Sequence, residues 1–352
     1  TLKEVDFPGQ FLVVQSTGGL YALSEARQDC VRMMESGPAA GVIGTQALCQ
    51  ALGIENAIAF DMGGTTAKAG VVRHHQALVA NSVMIGGTVG EVVDSRHAKF
   101  APGDRVVGMG GWQDFSVVDA NELGLLRKVD TTHVPLSHYL GAVGMPGVTA
   151  WHGLVRIIEP QAGQTVTVSA ASGAVGSAFG ALAKARGCRV VGIAGGADKC
   201  NYVTQELGFD ACIDYKQHPD YISLSKALKV ACPDGIDGHF ENAGGKVLDA
   251  VMLRMNAFGR IAVCGMIAGY DGNPIPMVNP SLILVSRLKV QGFIVSEHPA
   301  DWPIALQELG ALVGSGKFRP RETVSMGLDS APQAFLGLLK GQNFGKQVVK
   351  LI

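Results

Sequence analysis

Thr165-Val166-Thr167-Val168-Ser169-Ala170-Ala171-Ser172-Gly173-Ala174-Val175-Gly176 is the stretch on which the fold turns. Its first five residues are β-branched or small, which suits a strand buried on both faces of a parallel sheet. The Ala171-x-Gly173-x-x-Gly176 turn follows, and Ser177 to Arg186 then has helical spacing. Arg189-Val190-Val191-Gly192-Ile193 reads as a second strand. Strand, glycine turn, helix and strand in this order form the opening unit of a Rossmann nucleotide fold. The glycines admit a pyrophosphate close to the backbone, and the helix N-terminus offers free amides and a favourable dipole.

The end of the second strand selects the nucleotide. A diphosphopyridine site normally carries an acid there to hold the ribose 2′-OH. This chain has Ala194-Gly195-Gly196, followed by Lys199, which suits a 2′-phosphate. The reading therefore favours NADPH, with Asp198 as the one nearby acid that could face a ribose hydroxyl instead. Further strands are expected at Ala211 to Asp214, Gly235 to Asn242, Arg260 to Gly265 and Leu288 to Val295. Ligands of such sheets lie beyond the carboxyl ends of the strands. Tyr215, Asn242, the run from Cys264 to Tyr270, and Phe293 all fall on that edge.

The bulk properties remove other classes. Lys and Arg total 29 against 30 Asp and Glu, so no basic field exists for nucleic acid or an anionic membrane. No apolar run reaches the roughly 18 residues of a spanning helix, and no signal peptide opens the chain. Thr1 stands where a start Met would, which reads as a processed or excised chain. The seven cysteines are scattered with no CxxC pair, as expected for reduced thiols in a cytoplasmic protein. His97, His133, His138 and His152 share no metal spacing with a cysteine, so no metal site is expected.

The texture before residue 80 is different. Leu12-Val13-Val14 and Ala57-Ile58-Ala59-Phe60 read as strands, and Ser36 to Leu52 as a helix. Asp61-Met62-Gly63-Gly64-Thr65-Thr66 places amides and hydroxyls where a phosphate could sit. These words resemble part of the hydantoinase/oxoprolinase family, which implies a fragment of an actin-like ATPase fold, with Asp61, Thr65 and Lys68 matching its motif. The facing lobe of such an ATPase is missing. From Met84 onward the rhythm changes, with Thr88 to Val93 and Asp104 to Val107 reading as β-rich.

Several further words share one family likeness. Met145-Pro146-Gly147-Val148-Thr149-Ala150 precedes the glycine turn, and Phe240-Glu241-Asn242-Ala243-Gly244-Gly245 follows it. Cys264-Gly265-Met266-Ile267-Ala268-Gly269-Tyr270, Gln291-Gly292-Phe293 and Asn343-Phe344-Gly345-Lys346-Gln347 complete the set. Together they resemble the zinc-independent medium-chain dehydrogenase/reductase family, of the prostaglandin reductase and plant alkenal double-bond reductase type.

The resemblance implies two domains after the first fragment, residues 1–80. Residues 139–295 would be the NADP-binding Rossmann domain. Residues 81–138 with 296–352 would be an incomplete GroES-like catalytic β domain. It also implies that Ser172, Gly173, Ala174 and Val175 meet the pyrophosphate, and that Lys199 and Tyr215 hold the 2′-phosphate. Asn242, Cys264, Gly265, Met266 and Ile267 would line the cofactor, as would Phe293, Ile294, Val295 and Asn343.

Tyr270 would donate to the carbonyl oxygen of an α,β-unsaturated ketone or aldehyde as hydride reaches the β-carbon, stabilising the enolate. Trp151 stands where the family has Tyr and would keep an aromatic wall. A homodimer joined along the edge of the large sheet is the implied assembly. The family's catalytic domain starts well before the counterpart of Gly86, and the hydantoinase-like segment occupies that place. NADPH binding with reduced or absent turnover is the expectation. A non-catalytic NADPH-binding sensor and an ATP-dependent hydantoinase or oxoprolinase subunit stay open beside it.

Overall fold

The computed structural model describes residues 12–14, 20–22, 36–62, 67–73, 76–77, 87–111, 113–118, 126–269 and 274–351. The chain divides into two units, Thr1–Val83 and Met84–Ile352.

In the first unit, strands β1 (Leu12–Val14) and β2 (Leu20–Ala22) form an antiparallel pair. Helix α1 (Ser36–Leu52) packs beside an antiparallel meander of β3 (Asn56–Met62), β4 (Ala67–Arg73) and β5 (Gln76–Ala77). The β3–β4 register sets Asp61 opposite Lys68. Thr65, the third residue of that motif, lies outside the described residues.

The second unit opens with the antiparallel strands β6 (Thr88–Glu91), β7 (Arg105–Gly108) and β8 (Arg127–Lys128). Helix α2 (Met145–His152) runs on through a π-helical segment to Ile158. A regular βα alternation follows: β9 (Thr165–Ser169), α3 (Ala174–Ala185), β10 (Arg189–Ala194), α4 (Ala197–Asn201), β11 (Ala211–Asp214) and α5 (Tyr221–Ala231). It continues through β12 (Ile236–Glu241), α6 (Lys246–Met252), β13 (Met255–Val263), α7 (Ser281–Val285) and β14 (Lys289–Gly292). Helix α8 (Trp302–Gly314), β15 (Glu322–Met326), α9 (Ala331–Leu339) and β16 (Lys346–Lys350) close the chain. β15 and β16 form a separate parallel pair.

The six central strands pair in parallel in the order β11-β10-β9-β12-β13-β14. Numbered by succession, this is 3-2-1-4-5-6, the doubly wound order whose reversal between β9 and β12 opens a ligand crevice. Both faces are covered, as a parallel sheet requires. Val166, Val168, Val190 and Phe240 pack with Phe179 and Leu182 of α3 and Leu154 of the π segment. Val191, Ile193 and Ile261 pack on the other face with Leu224 and Leu228 of α5 and Val251 of α6. Each fully buried side chain of this size contributes about 1.5–3 kcal/mol.

Helix α8 lies beyond the expected end of the nucleotide domain at residue 295. It nevertheless buries Ala305, Leu309 and Val313 in the same core as β9 and α3. Strand β13 begins at Met255, five positions before the expected Arg260. The register explains the difference. Ile236 pairs with Met255 but Gly238 with Arg260, so the extra residues bulge, with Phe258 at φ 65°.

Candidate functional site

The site is assembled at the carboxyl edge of the sheet. Strand β9 delivers the chain to Ala170 at φ 49°, and Gly173 then caps α3 without any side-chain hydrogen bond. The first-turn amides of a helix have no internal acceptor, so those of Ala174 and Val175 are open to an anion. Gly176 permits the turn to close. A Cβ there would sit 2.4 Å from the Ala170 carbonyl oxygen and 2.8 Å from Ala171 Cα.

The C-terminal segment joins the same turn. Gly345 N–H donates to the Ser172 carbonyl at 2.8 Å, and Gly345 bridges to Gly173. Gly345 holds φ 60°, and a Cβ on it would meet the Arg321 carbonyl at 1.8 Å, so only glycine fits. Asn343 is buried beside it, its Nδ2 donating to the Gly345 carbonyl at 2.8 Å.

At the end of β10, Gly195 leaves the space that the Tyr215 ring and the Lys216 stem occupy. A Cβ on Gly195 would lie 2.9 Å from the ring and 3.0 Å from the stem. Lys199 on α4 reaches the same corner, donating to the Gly341 carbonyl at 2.6 Å and lying 5.6 Å above the Phe344 ring. Burial, and then the charge of Lys216, hold the Lys199 ammonium below its ordinary value. The charges of Lys199 and Lys216 therefore lie close to one another at this end of the sheet. Asp214 is spoken for: its Oδ1 accepts from the amides of Gly196 at 2.8 Å and Lys216 at 3.0 Å. Burial opposes its ionisation, but these amides outweigh that and hold its pKa low. Asp198 is exposed on the first turn of α4.

Across the crevice, the segments after β12 and β13 lie side by side. Ile267 N–H donates to the Asn242 carbonyl at 3.1 Å, and Cys264 and Gly265 donate to the Glu241 carbonyl. Met266 packs against Gly244. Asn242 is fixed at both ends, with Nδ2 on the Ser169 carbonyl at 2.8 Å and Oδ1 accepting from the Cys264 thiol at 3.0 Å. Burial first, and then the nearby Glu241, push the Cys264 thiol up to about 12. Phe293 leaves the end of β14 and packs at 4.9 Å on the His152 ring. Ile294 is exposed and Val295 buried. Tyr270 lies outside the described residues. Trp151 is buried between helices, where its indole N–H donates to Glu308 Oε2 at 2.6 Å.

Beneath the crevice runs a buried polar chain that sequence reading did not single out. Thr167 Oγ1 contacts His239 Nδ1 at 2.8 Å, and His239 Nε2 donates to Glu241 Oε2 at 3.0 Å. Glu241 Oε1 also accepts from the Ser169 hydroxyl and from the Ala243 amide, both at 2.5 Å, and from the Gly244 amide at 3.0 Å. Burial pushes this carboxyl upward. The His239 ring, the Ser169 hydroxyl and the Ala243 amide outweigh it and hold the group ionised, below the ordinary carboxylate value. Polar residues two apart in each of two neighbouring core strands were the available signal. Thr167 pairs with His239 in register, so Ser169 and Glu241 share that face.

Among the described residues, no group of three His, Cys, Asp or Glu could hold a metal ion, and no helix is long and apolar enough to cross a membrane.

The family model described as Zinc-binding dehydrogenase matches residues 174–311. The NADPH-dependent curcumin reductase of Escherichia coli is 43% identical over 276 residues, covering 76% of this chain and 78% of the relative. The 2-alkenal reductase (NADP(+)-dependent) of Nicotiana tabacum is 43% identical over 275 residues, covering 78% and 79%. The crystal structure of CurA in complex with NADPH from Vibrio vulnificus superposes with a TM-score of 0.70 at 41% identity, covering 78% of this chain and 82% of that one. The chain belongs to the medium-chain dehydrogenase/reductase family, among its NADP-dependent reductases.

A second family model, described as Hydantoinase/oxoprolinase, matches residues 1–123. That match runs past the break at Val83 into β6 and β7, but β6 packs on the 136–140 turn of the second unit. The physical boundary is therefore the break at Val83.

Proposed function

We propose that residues 84–352 bind NADPH and reduce the C=C bond of α,β-unsaturated ketones and aldehydes. The carrying observation is that the Lys216 stem packs over Gly195 with the Lys199 charge close enough to feel it, on the same sheet edge as the open first turn of α3. This arrangement suits a 2′-phosphate and a pyrophosphate together. Bound NADPH supplies the hydride. Ser172, Gly173, Ala174 and Val175 hold the pyrophosphate, and Lys199 and Tyr215, with Lys216, hold the 2′-phosphate. Asn242, Cys264, Gly265, Met266 and Ile267 line one wall, with Phe293, Ile294, Val295 and Asn343 completing it. The names of the relatives support the substrate class. Tyr270 hydrogen-bonds the carbonyl oxygen through its phenol O–H and stabilises the enolate, and solvent or the phenol then protonates the α-carbon.

The double variant Lys199→Ala/Lys216→Ala is expected to weaken NADPH binding by about a hundredfold and leave NADH binding nearly unchanged. Titration of nucleotide fluorescence measures both, and an equal loss for the two nucleotides would remove the 2′-phosphate assignment. Tyr270→Phe is expected to lower kcat with an enone roughly a hundredfold, with the NADPH dissociation constant intact. Enone-dependent NADPH oxidation reads this directly, and unchanged turnover would take Tyr270 out of the mechanism.

Three further readings belong to this proposal. The strands β6–β8 and β15–β16 are the retained pieces of a GroES-like catalytic domain. The first unit, an actin-like hydantoinase/oxoprolinase fragment, stands where the rest of that domain begins, and turnover is reduced accordingly. Saturable NADPH binding with no enone-dependent oxidation would leave the sensor reading in its place. Edge strand β14 joins two copies, supported by the exposure of Val290 on it and of Leu284 and Val285 just before it.

A further inference from the structure

The cysteines read as scattered, yet the fold brings two of them into contact. Cys212 on β11 donates its thiol hydrogen to the Cys200 sulfur on α4 at 3.2 Å. Both are free and half-buried. Gly192, opposite Cys212 in the register of β10, leaves the room: a Cβ there would meet the Cys212 sulfur at 3.3 Å. Cys200 directly follows Lys199. Cys212 lies two residues before Asp214, whose carboxylate holds the Gly196 and Lys216 amides. The pair therefore ties together the two elements that form the cationic corner.

We propose that Cys200 and Cys212 form a peroxide-oxidisable dithiol, and that their disulfide weakens binding of the 2′-phosphorylated nucleotide. The second half rests on the NADPH reading above. In the first step the Cys200 thiolate attacks a peroxide ROOH. A sulfur–oxygen bond forms and the O–O bond breaks, giving Cys200 sulfenic acid and, with one proton taken up, ROH. In the second step the Cys212 sulfur attacks the sulfenic sulfur, the S–S bond forms, and the sulfenic oxygen leaves as water with the Cys212 proton.

The two sulfurs are unequal in the sense this order needs. The Cys212 donor hydrogen bond holds Cys200 below the ordinary thiol value. That same contact, and then burial, raise Cys212. Three other thiols are disfavoured: burial raises Cys188, and pushes Cys232 to about 11 and Cys264 to about 12. Closing the 3.2 Å contact to the roughly 2.05 Å of a disulfide brings the two sulfurs about an ångström closer and ties α4 covalently to β11. That tie fixes Lys199, next to Cys200, relative to the β11 end that carries Lys216, and hinders the two from adjusting to one phosphate.

The test treats the full chain with hydrogen peroxide, counts remaining thiols by mass, maps linked peptides, and titrates NADPH fluorescence before and after. The expected result is loss of two thiols, a Cys200–Cys212 linked peptide, and an NADPH affinity reduced by about tenfold that dithiothreitol restores. Cys200→Ser and Cys212→Ser should bind NADPH as the reduced parent does and keep that affinity under peroxide. Absence of the linked peptide would overturn the dithiol. A linked peptide with unchanged affinity would overturn its effect on binding. If the disulfide forms but the reduced parent binds no NADPH, the cofactor reading fails and the affinity effect with it, while the oxidation site stands.

Discussion

Glu241→Ala is expected to remove about 3–5 kcal/mol of folding stability, read as a lowered urea midpoint. The size follows from what the carboxylate holds. His239, the Ser169 hydroxyl and the amides of Ala243 and Gly244 would all lose their acceptor in a region that excludes water. Glu241→Gln keeps an acceptor for the amides but points an N–H₂ or a carbonyl at His239, so a smaller loss is expected. The same group sets an acid limit. Its folded pKa lies below the unfolded value of about 4.3, so its contribution is present above that pH. That contribution is lost as the pH falls through the folded value. A parent that lost no more stability than Glu241→Ala on acidification would show that the carboxylate is not the group involved. NADPH affinity should fall as well, because Glu241 shapes the Asn242-Ala243-Gly244 turn.

Gly176→Ala is expected to weaken NADPH binding by about a hundredfold and to cost about 1–3 kcal/mol of stability. The added methyl meets backbone on both sides, at Ala170 O and Ala171 Cα, and neither can swing aside as a side-chain end would. Relief requires opening the turn that aims the first amides of α3 outward. Gly90→Ala is the matched control, since a Cβ there meets nothing within 4 Å. Fluorescence titration and urea unfolding of both variants measure the two effects. A Gly176→Ala chain that bound NADPH like the control would show that the turn does not cradle the pyrophosphate.

The sheet was readable because buried parallel strands are short β-branched runs, and Thr165–Ser169 and Arg189–Ala194 announce themselves that way. The residues at the carboxyl edge followed from strand direction alone. What escaped were contacts that exist only across strands or between a helix and a strand. The Thr167–His239–Glu241–Ser169 chain needs β9 and β12 to be neighbours, and they are 72 residues apart for the Ser169–Glu241 bond. Lys216 enters the corner only because Gly195 is bare. Cys200 and Cys212, 12 residues apart, look unrelated until α4 folds onto β11. The early start of β13 was hidden by a bulge, which has no hydrophobic period to betray it.

Cys264 bears on how such a chain could survive its own chemistry. Enones and enals are thiol-alkylating agents, and only the thiolate form adds to them readily. A sulfur held on Asn242 and pushed up to about 12 is ionised to only about one part in a hundred thousand at neutral pH. A cysteine of the proposed cofactor wall is thus kept almost inert, and repeated exposure to electrophile should leave Cys264 unmodified.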